Sequence, residues 1–209
     1  MANGSKEKNL INVLLIEDNP GDARLLEIYL EEGFGKQFTL KHAIKLSIGL
    51  EFLKEQSFSI IILDLTLPDS SGIDTFYKIY EASPEIPVIV LTGYTDEDLG
   101  TKAVKKGAQD FLTKNDLDSR ILKRAINYAI ERQSLNRELA ERTMKLQINE
   151  QRLREAQRIA HLGGWELNLN TKTITCSEEV YNIYSIDPKT FNNTFEEFLE
   201  RVHPSDRQN

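Results

Sequence analysis

The chain of 209 residues holds one cysteine, six prolines and one tryptophan. With Cys176 alone no internal disulfide can form, which fits a reducing, cytoplasmic setting. Cys176 itself is expected to be a partly buried, apolar-type residue. No apolar run approaches the roughly 18 residues of a spanning helix, so no membrane partner is expected. The first nine residues, MANGSKEKN, lack the apolar stretch of a signal peptide and are expected to be disordered. Cationic excess is also missing. A net charge of -7 argues against nucleic acid as a partner, because phosphates attract clusters of Lys and Arg. Glycine and proline are absent between Leu117 and Leu162, a stretch longer than an ordinary globular helix.

Against these absences stand short apolar runs that end in polar chemistry. Val13-Leu14-Leu15-Ile16 runs into Glu17-Asp18, and Ile60-Ile61-Ile62-Leu63 into Asp64. Val88-Ile89-Val90-Leu91 runs into Thr92, and Phe111-Leu112 leads to Lys114. Continuous apolar runs between helical stretches read as parallel strands buried on both faces. Strands are expected at 11–16, 38–43, 59–63, 87–91 and 109–112, with the second the weakest in pattern. Asn19-Pro20 starts a helix by side-chain cap and N1 proline. Its inward stripe is expected from Leu25, Leu26, Ile28, Tyr29 and Leu30, with Gly33 or Gly35 as the stop. Thr95-Asp96-Glu97-Asp98 resembles a capping box, and Gly107 closes the helix that follows it. This alternation predicts an α/β domain with a doubly wound, five-stranded parallel sheet and right-handed crossovers.

Ligands bind beyond the carboxyl ends of such strands. Glu17, Asp18 and Asp64 would then crowd together and raise one another's pKa unless a cation joins them. A hard ion such as Mg²⁺ suits these oxygens, and the backbone carbonyl of Thr66 could add a ligand. Asp64 could attack phosphorus to give an acyl phosphate. Lys114 would offset charge on the phosphoryl oxygens, and Thr92 could donate its hydroxyl to one of them. Gly93 leaves room there.

With these residues in order, 10–133 resembles a response-regulator receiver domain. The resemblance rests on Glu17-Asp18, on Asp64 through Pro68 to Gly72, on Thr92-Gly93, and on Gly107-Ala108-Gln109-Asp110-Phe111-Leu112-Thr113-Lys114. It implies a flavodoxin-like strand order 2-1-3-4-5 and a Mg²⁺-dependent phosphoacceptor at Asp64. It makes Glu17 and Asp18 metal ligands, Thr92 and Phe111 a switch pair, and Lys114 a phosphoryl contact. Two positions depart from the family pattern: Glu17 stands where Asp is common, and Asn115 follows Lys114 where Pro is frequent. Pro68 and Gly72 read as turn devices.

The breaker-free stretch carries a second signal. Leu139, Leu146, Leu153 and Ala160 repeat every seven residues, with Leu135, Arg142, Asn149 and Ala156 as companion row. Residues 134–160 are expected to form a coiled-coil linker helix, with Asn149 fixing register in a parallel homodimer through 121–160. Gly163-Gly164 then breaks the helix. Trp165–Leu169 and Lys172–Cys176 alternate as a hairpin around Asn170-Thr171, and short helices follow at 177–184 and 195–202. Ala156–Glu166, Trp165–Ser185 and Val202–Arg207 resemble the first part of a PAS sensor domain, so 161–209 is expected to be an incomplete α+β PAS segment. His161 and His203 are read as structural, and His42 as carrying no chemistry.

The resemblances together imply phosphorelay signal transduction. A histidine kinase or phosphotransfer protein would phosphorylate Asp64, and the helical linker would relay the state to a PAS or output module. No catalytic motif of its own is expected, the chain being read as part of a longer sensor kinase or cyclase. Three rivals stand beside this reading. An aspartate-nucleophile phosphatase would usually place a second Asp where Thr66 stands. A DNA-binding response regulator would need a basic recognition helix, and a structural adaptor would not need the acid set.

Overall fold

The computed structural model describes residues 10–93 and 97–207. Contacts divide the chain into two compact units, Met1–Glu138 and Leu139–Asn209. The expected disorder of 1–9 and the capping residues Thr95 and Asp96 lie outside the described residues.

The first unit alternates strand and helix: β1 (Ile11–Ile16), α1 (Pro20–Phe34), β2 (Phe38–Ala43), α2 (Leu46–Glu55) and β3 (Ile60–Asp64). A two-residue-per-strand hairpin follows, β4 (Thr66–Leu67) and β5 (Ser70–Ser71), then α3 (Ile73–Ala82), β6 (Val88–Thr92), α4 (Glu97–Lys105) and β7 (Asp110–Thr113). Helix α5 (Ser119–Ile159) begins in this unit. The five long strands are all parallel and lie in the order β2-β1-β3-β6-β7. With the small hairpin left out of the count this is 2-1-3-4-5, as expected. The weak pattern of β2 has a physical cause: it is an edge strand with only Ala43 fully buried.

The central strands are buried on both faces, and their residues alternate between two cores. Val13, Leu15, Ile60, Ile62, Ile89 and Leu91 pack with α1 and the start of α5. Leu14, Ile16, Ile61, Leu63, Val88 and Val90 face Leu46 of α2, Phe76 and Ile79 of α3, and Ala103 of α4. Each such side chain contributes about 1.5–3 kcal/mol of transfer free energy relative to exposure. Gly49 lets α2 approach β1 closely, since a Cβ there would lie 2.5 Å from Ile16 Cδ1.

Helix α1 starts as expected, with Asn19 Oδ1 accepting from the Gly21 and Asp22 N–H groups at 2.8 and 3.3 Å. Its stripe differs from expectation. Ala23, Leu26, Leu30 and Phe34 are buried, whereas Leu25 is exposed. Spacings of three and four keep the first four on one side, and Leu25 falls off that row. Gly33 is helical, and the stop is Gly35, whose N–H bonds Glu31 O at 2.8 Å.

Of α5, Leu122, Ala125, Ile126 and Ala129 are buried in the first unit. Leu135, Leu139, Leu146 and Leu153 are all exposed. In the second unit β8 (Trp165–Asn168) and β9 (Thr173–Cys176) pair antiparallel, followed by α6 (Glu178–Tyr184) and α7 (Phe195–Glu200). Helix α6 starts one residue late because Ser177 is its cap position, and α7 ends before Arg201. Ile174, Val180, Ile186, Phe191 and Phe198 make a small core, with Cys176 packed at its edge. Burial pushes the Cys176 thiol pKa up, away from reactivity. Among the described residues no helix is long and apolar enough to cross a membrane.

Candidate functional site

Strand register brings the expected residues to one rim. Ile16 pairs with Leu63, which sets Glu17 level with Asp64. Asp64 pairs with Leu91, and Thr92 with Thr113, so Thr92 and Lys114 stand one residue further out. Topology places the crevice between β1 and β3, where the chain switches direction across the sheet.

One ligand oxygen from each of Glu17, Asp18 and Asp64 can be chosen so that all lie within 4.8 Å of one another. Glu17 is fully buried, Asp64 is buried and Asp18 is exposed. Lys114 Nζ sits among the acids, 2.7 Å from Glu17 Oε2 and 2.7 Å from Asp64 Oδ2. The Glu17 contact is an ion pair, whereas Lys114 donates an aligned hydrogen bond to Asp64. The other Asp64 oxygen, Oδ1, accepts from the Thr66 N–H at 3.0 Å, and Glu17 Oε1 accepts from the Asn19 N–H at 3.1 Å. Both buried acids are therefore oriented by backbone as well as by the ammonium.

The electrostatics follow from crowding. Burial pushes the Glu17 pKa up to about 7; Lys114 opposes this and the like charge of Asp64 adds to it. Burial also works against the Lys114 charge, but the contacts to Asp64, Glu17 and Asp22 outweigh it and raise its pKa. One ammonium contacts three carboxylates and Asp18 stands beside them, so the cluster retains excess negative charge. A hard divalent cation fits such an oxygen set. Thr92 adds a second sign: its Oγ1 is buried with no hydrogen-bond partner, an uncommon condition that a phosphoryl oxygen would relieve. Phe111 is half-buried on β7 against the core that includes Ala103. Its ring occupies space beside Gly100 of α4, where a Cβ would lie 2.6 Å from Phe111 Cδ2.

The loop after Asp64 is held at several points. Gly72 N–H bonds Leu65 O at 2.8 Å, and Thr66 pairs with Ser71. Gly72 adopts φ +69°, a conformation that favours glycine, which explains its place at the start of α3. Asp69 closes the loop onto α2: its oxygens accept from Leu46 N–H and Ser47 N–H, both at 2.9 Å. Lys45, at the cap position, makes no side-chain cap, so Asp69 fills that role from outside the helix. Hydrogen bonding by Ser47 and Leu46 lowers the Asp69 pKa to about 2, against a smaller opposing effect of burial.

Sequence reasoning missed Asp22, Asp69 and His42 here. Asp22 Oδ2 lies 2.9 Å from Lys114 Nζ, but a first-turn acid reads as an ordinary helix-dipole partner. His42, given no role from sequence, holds the Glu17 carbonyl through Nε2 at 2.7 Å. Edge position on β2 hid this, because the contact needs the β1–β2 pairing. Elsewhere, His161 Nδ1 lies 3.2 Å from Glu179 Oε1 and His203 Nδ1 lies 2.8 Å from Ser205 Oγ. Both contacts accord with structural roles.

The chain is thus an open, doubly wound α/β protein with an acidic, lysine-bridged rim at the carboxyl ends of its strands. Comparison with known proteins makes this specific. The profile described as "Response regulator receiver domain" matches residues 13–127, more than half of the chain. The chain belongs to that family, whose domains serve two-component phosphorelay signalling and are generally non-catalytic. The response regulator protein PilR of Pseudomonas aeruginosa is 35% identical over 101 residues, covering 48% of this chain and 22% of that protein. The cell cycle transcriptional regulator CtrA of Caulobacter vibrioides is 35% identical over 105 residues, 50% of this chain and 44% of its own. The chain thus spans less than half the length of these curated relatives. A receiver domain protein of Clostridium thermocellum superposes with a TM-score of 0.54 at 31% identity, covering 60% of this chain and 98% of that one. The receiver domain of an HD domain-containing protein from Pseudomonas fluorescens gives 0.57 at 25%, covering 66% and 98%. Relatives named as transcriptional regulators give no support to the expectation that nucleic acid is not a partner.

Proposed function

We propose that this chain is a phosphorelay receiver in which Asp64 accepts a phosphoryl group from a histidine kinase or phosphotransfer protein. The observation that carries this reading is the setting of the Asp64 carboxylate. One oxygen is held by the Thr66 N–H, the other by the Lys114 ammonium, and an unpaired Thr92 hydroxyl lies on the neighbouring strand. A carboxylate oxygen of Asp64 attacks phosphorus while the phosphorus–nitrogen bond to the donor imidazole breaks. The leaving imidazole keeps the electron pair and takes a proton from solvent. Lys114 follows the phosphoryl oxygens, and Thr92 donates to one of them. Glu17, Asp18, Asp64 and the Thr66 carbonyl would hold Mg²⁺, which supplies positive charge to the phosphoryl oxygens when bound.

Thr92 moves towards the phosphoryl group, and Phe111, whose ring abuts Gly100 of α4, repacks in response. Thr92 and Phe111 thereby act as the switch that biases a two-state face at α4 and β7. Output passes along α5 to the PAS-like tail. The exposed leucines from Leu135 to Leu153 suit a parallel homodimer, with Asn149 fixing register.

Incubation with acetyl phosphate and Mg²⁺, read by intact mass, tests the acceptor. One phosphate adduct is expected, and none in Asp64→Asn; an adduct that persists in the variant ends the assignment. The relatives' description as transcriptional regulators favours a second reading, a DNA-binding response regulator. Salt-dependent binding of the protein to duplex DNA is its test.

A further inference from the structure

Asp22 belongs to the lysine-bridged cluster but has no part in the chemistry derived above. Its Oδ2 lies 2.9 Å from Lys114 Nζ, and the same nitrogen lies 2.7 Å from Asp64 Oδ2. The two carboxylates therefore face each other across one ammonium. Of the three acids that contact Lys114, Asp22 is the most exposed, its side chain about a third open to solvent against none for Glu17. It stands in the first turn of α1, where the Asn19 cap and Pro20 set the helix start beside the acid pair. A charge there is only partly neutralised, because the single positive charge of Lys114 is shared among three carboxylates. When the ammonium follows a phosphoryl group, Asp22 loses part of its share and confronts the incoming negative charge.

We infer that Asp22 is a specificity-determining residue that disfavours small anionic phosphodonors at the Asp64 site. Its carboxylate repels a freely diffusing dianion at the rim. It also competes for the ammonium that must turn to the phosphoryl oxygens. A phosphohistidine delivered by a docked protein offsets the same repulsion with contacts made elsewhere on its surface. The inference rests on the acceptor assignment made above.

Two small donors separate charge from fold. Acetyl phosphate is a dianion near neutral pH, and phosphoramidate carries one net negative charge. Rates of adduct formation are measured by intact mass with Mg²⁺, at low and high salt, for the full chain. For Asp22→Asn, the acetyl phosphate rate is expected to rise about three- to tenfold at low ionic strength, with the gain shrinking as salt screens the rim. The gain with phosphoramidate is expected to be smaller. Asp22→Glu, which keeps the charge, should stay near the wild-type rate. Glu32→Gln removes the same charge from the same helix, ten residues along and roughly 15 Å away, and should leave both rates unchanged. Equal acceleration with both donors, a gain insensitive to salt, or slower capture in Asp22→Asn overturns the inference. If wild type forms an adduct on Asp64 while Asp22→Asn behaves like wild type, only this inference falls. If wild type forms no adduct, the acceptor assignment falls and takes this one with it.

Discussion

Replacing Lys114 with methionine keeps an unbranched chain one atom shorter and removes an ammonium that contacts three carboxylates. Glu17 has no solvent exposure and the Asp64 side chain only 10%, so water does little to compensate. Removing one partner of a buried pair typically costs about 3–5 kcal/mol. Two features reduce that figure. Asp22 is partly exposed, and Glu17, whose pKa is already pushed up to about 7, takes up a proton instead of standing as an unpaired charge. The expected loss at pH 7 is about 2–4 kcal/mol in metal-free buffer, or roughly 6–15 °C in Tm. Urea and thermal unfolding followed by far-UV circular dichroism in chelator measure it. Tryptophan fluorescence does not serve, because Trp165 lies in the second unit. Millimolar Mg²⁺ should then raise Tm more in the variant than in wild type, since the variant's acids have lost their own counter-charge. A loss below about 1 kcal/mol, or a smaller Mg²⁺ effect in the variant, refutes the electrostatic account of the site.

Asp69→Ala removes the cap that the acceptor loop supplies to α2 and should cost about 0.5–1 kcal/mol near neutral pH, the low end for a cap because the group is exposed. The Asp69 pKa is lowered from 3.8 to about 2, so its contribution is complete above 3.8 and lost as pH falls towards 2. The stability gap between wild type and Asp69→Ala should hold from pH 7 to near pH 4 and close below it; a gap that widens in acid contradicts the assignment. Gly100→Ala places a methyl 2.6 Å from the Phe111 ring and should lower stability by about 1–3 kcal/mol unless that ring moves. An unchanged melting curve with an unchanged Phe111 environment would remove Gly100 from the switch. Leu146→Glu, at an exposed position, should leave stability within about 0.5 kcal/mol. Sedimentation should show weaker self-association, and identical sedimentation of the two proteins counts against the helical dimer.

The chain order of four apolar runs places four of the five strands, the edge strand β2 resting on a weaker pattern, and the groups following those runs single out Glu17, Asp18, Asp64, Thr92 and Lys114. A strand buried on both faces must be continuously apolar, so its end announces itself wherever a charge interrupts the run. An apolar residue beside a helix stripe carries no such mark of its side. Helix geometry buries the row through Ala23, Leu26, Leu30 and Phe34 and packs Tyr29 at its edge, while Leu25 turns to solvent.

Composition and pattern by themselves determined the sheet, the acid set and the breaker-free helix, because these depend on local burial and on residues adjacent in the chain. Tertiary structure alone decided which side chains share the site. Lys114 meets Asp22 across 92 positions of sequence, and His42 meets the Glu17 carbonyl across 25. Asp69 caps a helix that begins 23 positions before it. Each of these residues is locally unremarkable, an acid in a first turn, a histidine on an edge strand, an aspartate in a loop. Parallel pairing juxtaposes strand ends that are distant in the chain, and only that geometry turns such residues into partners.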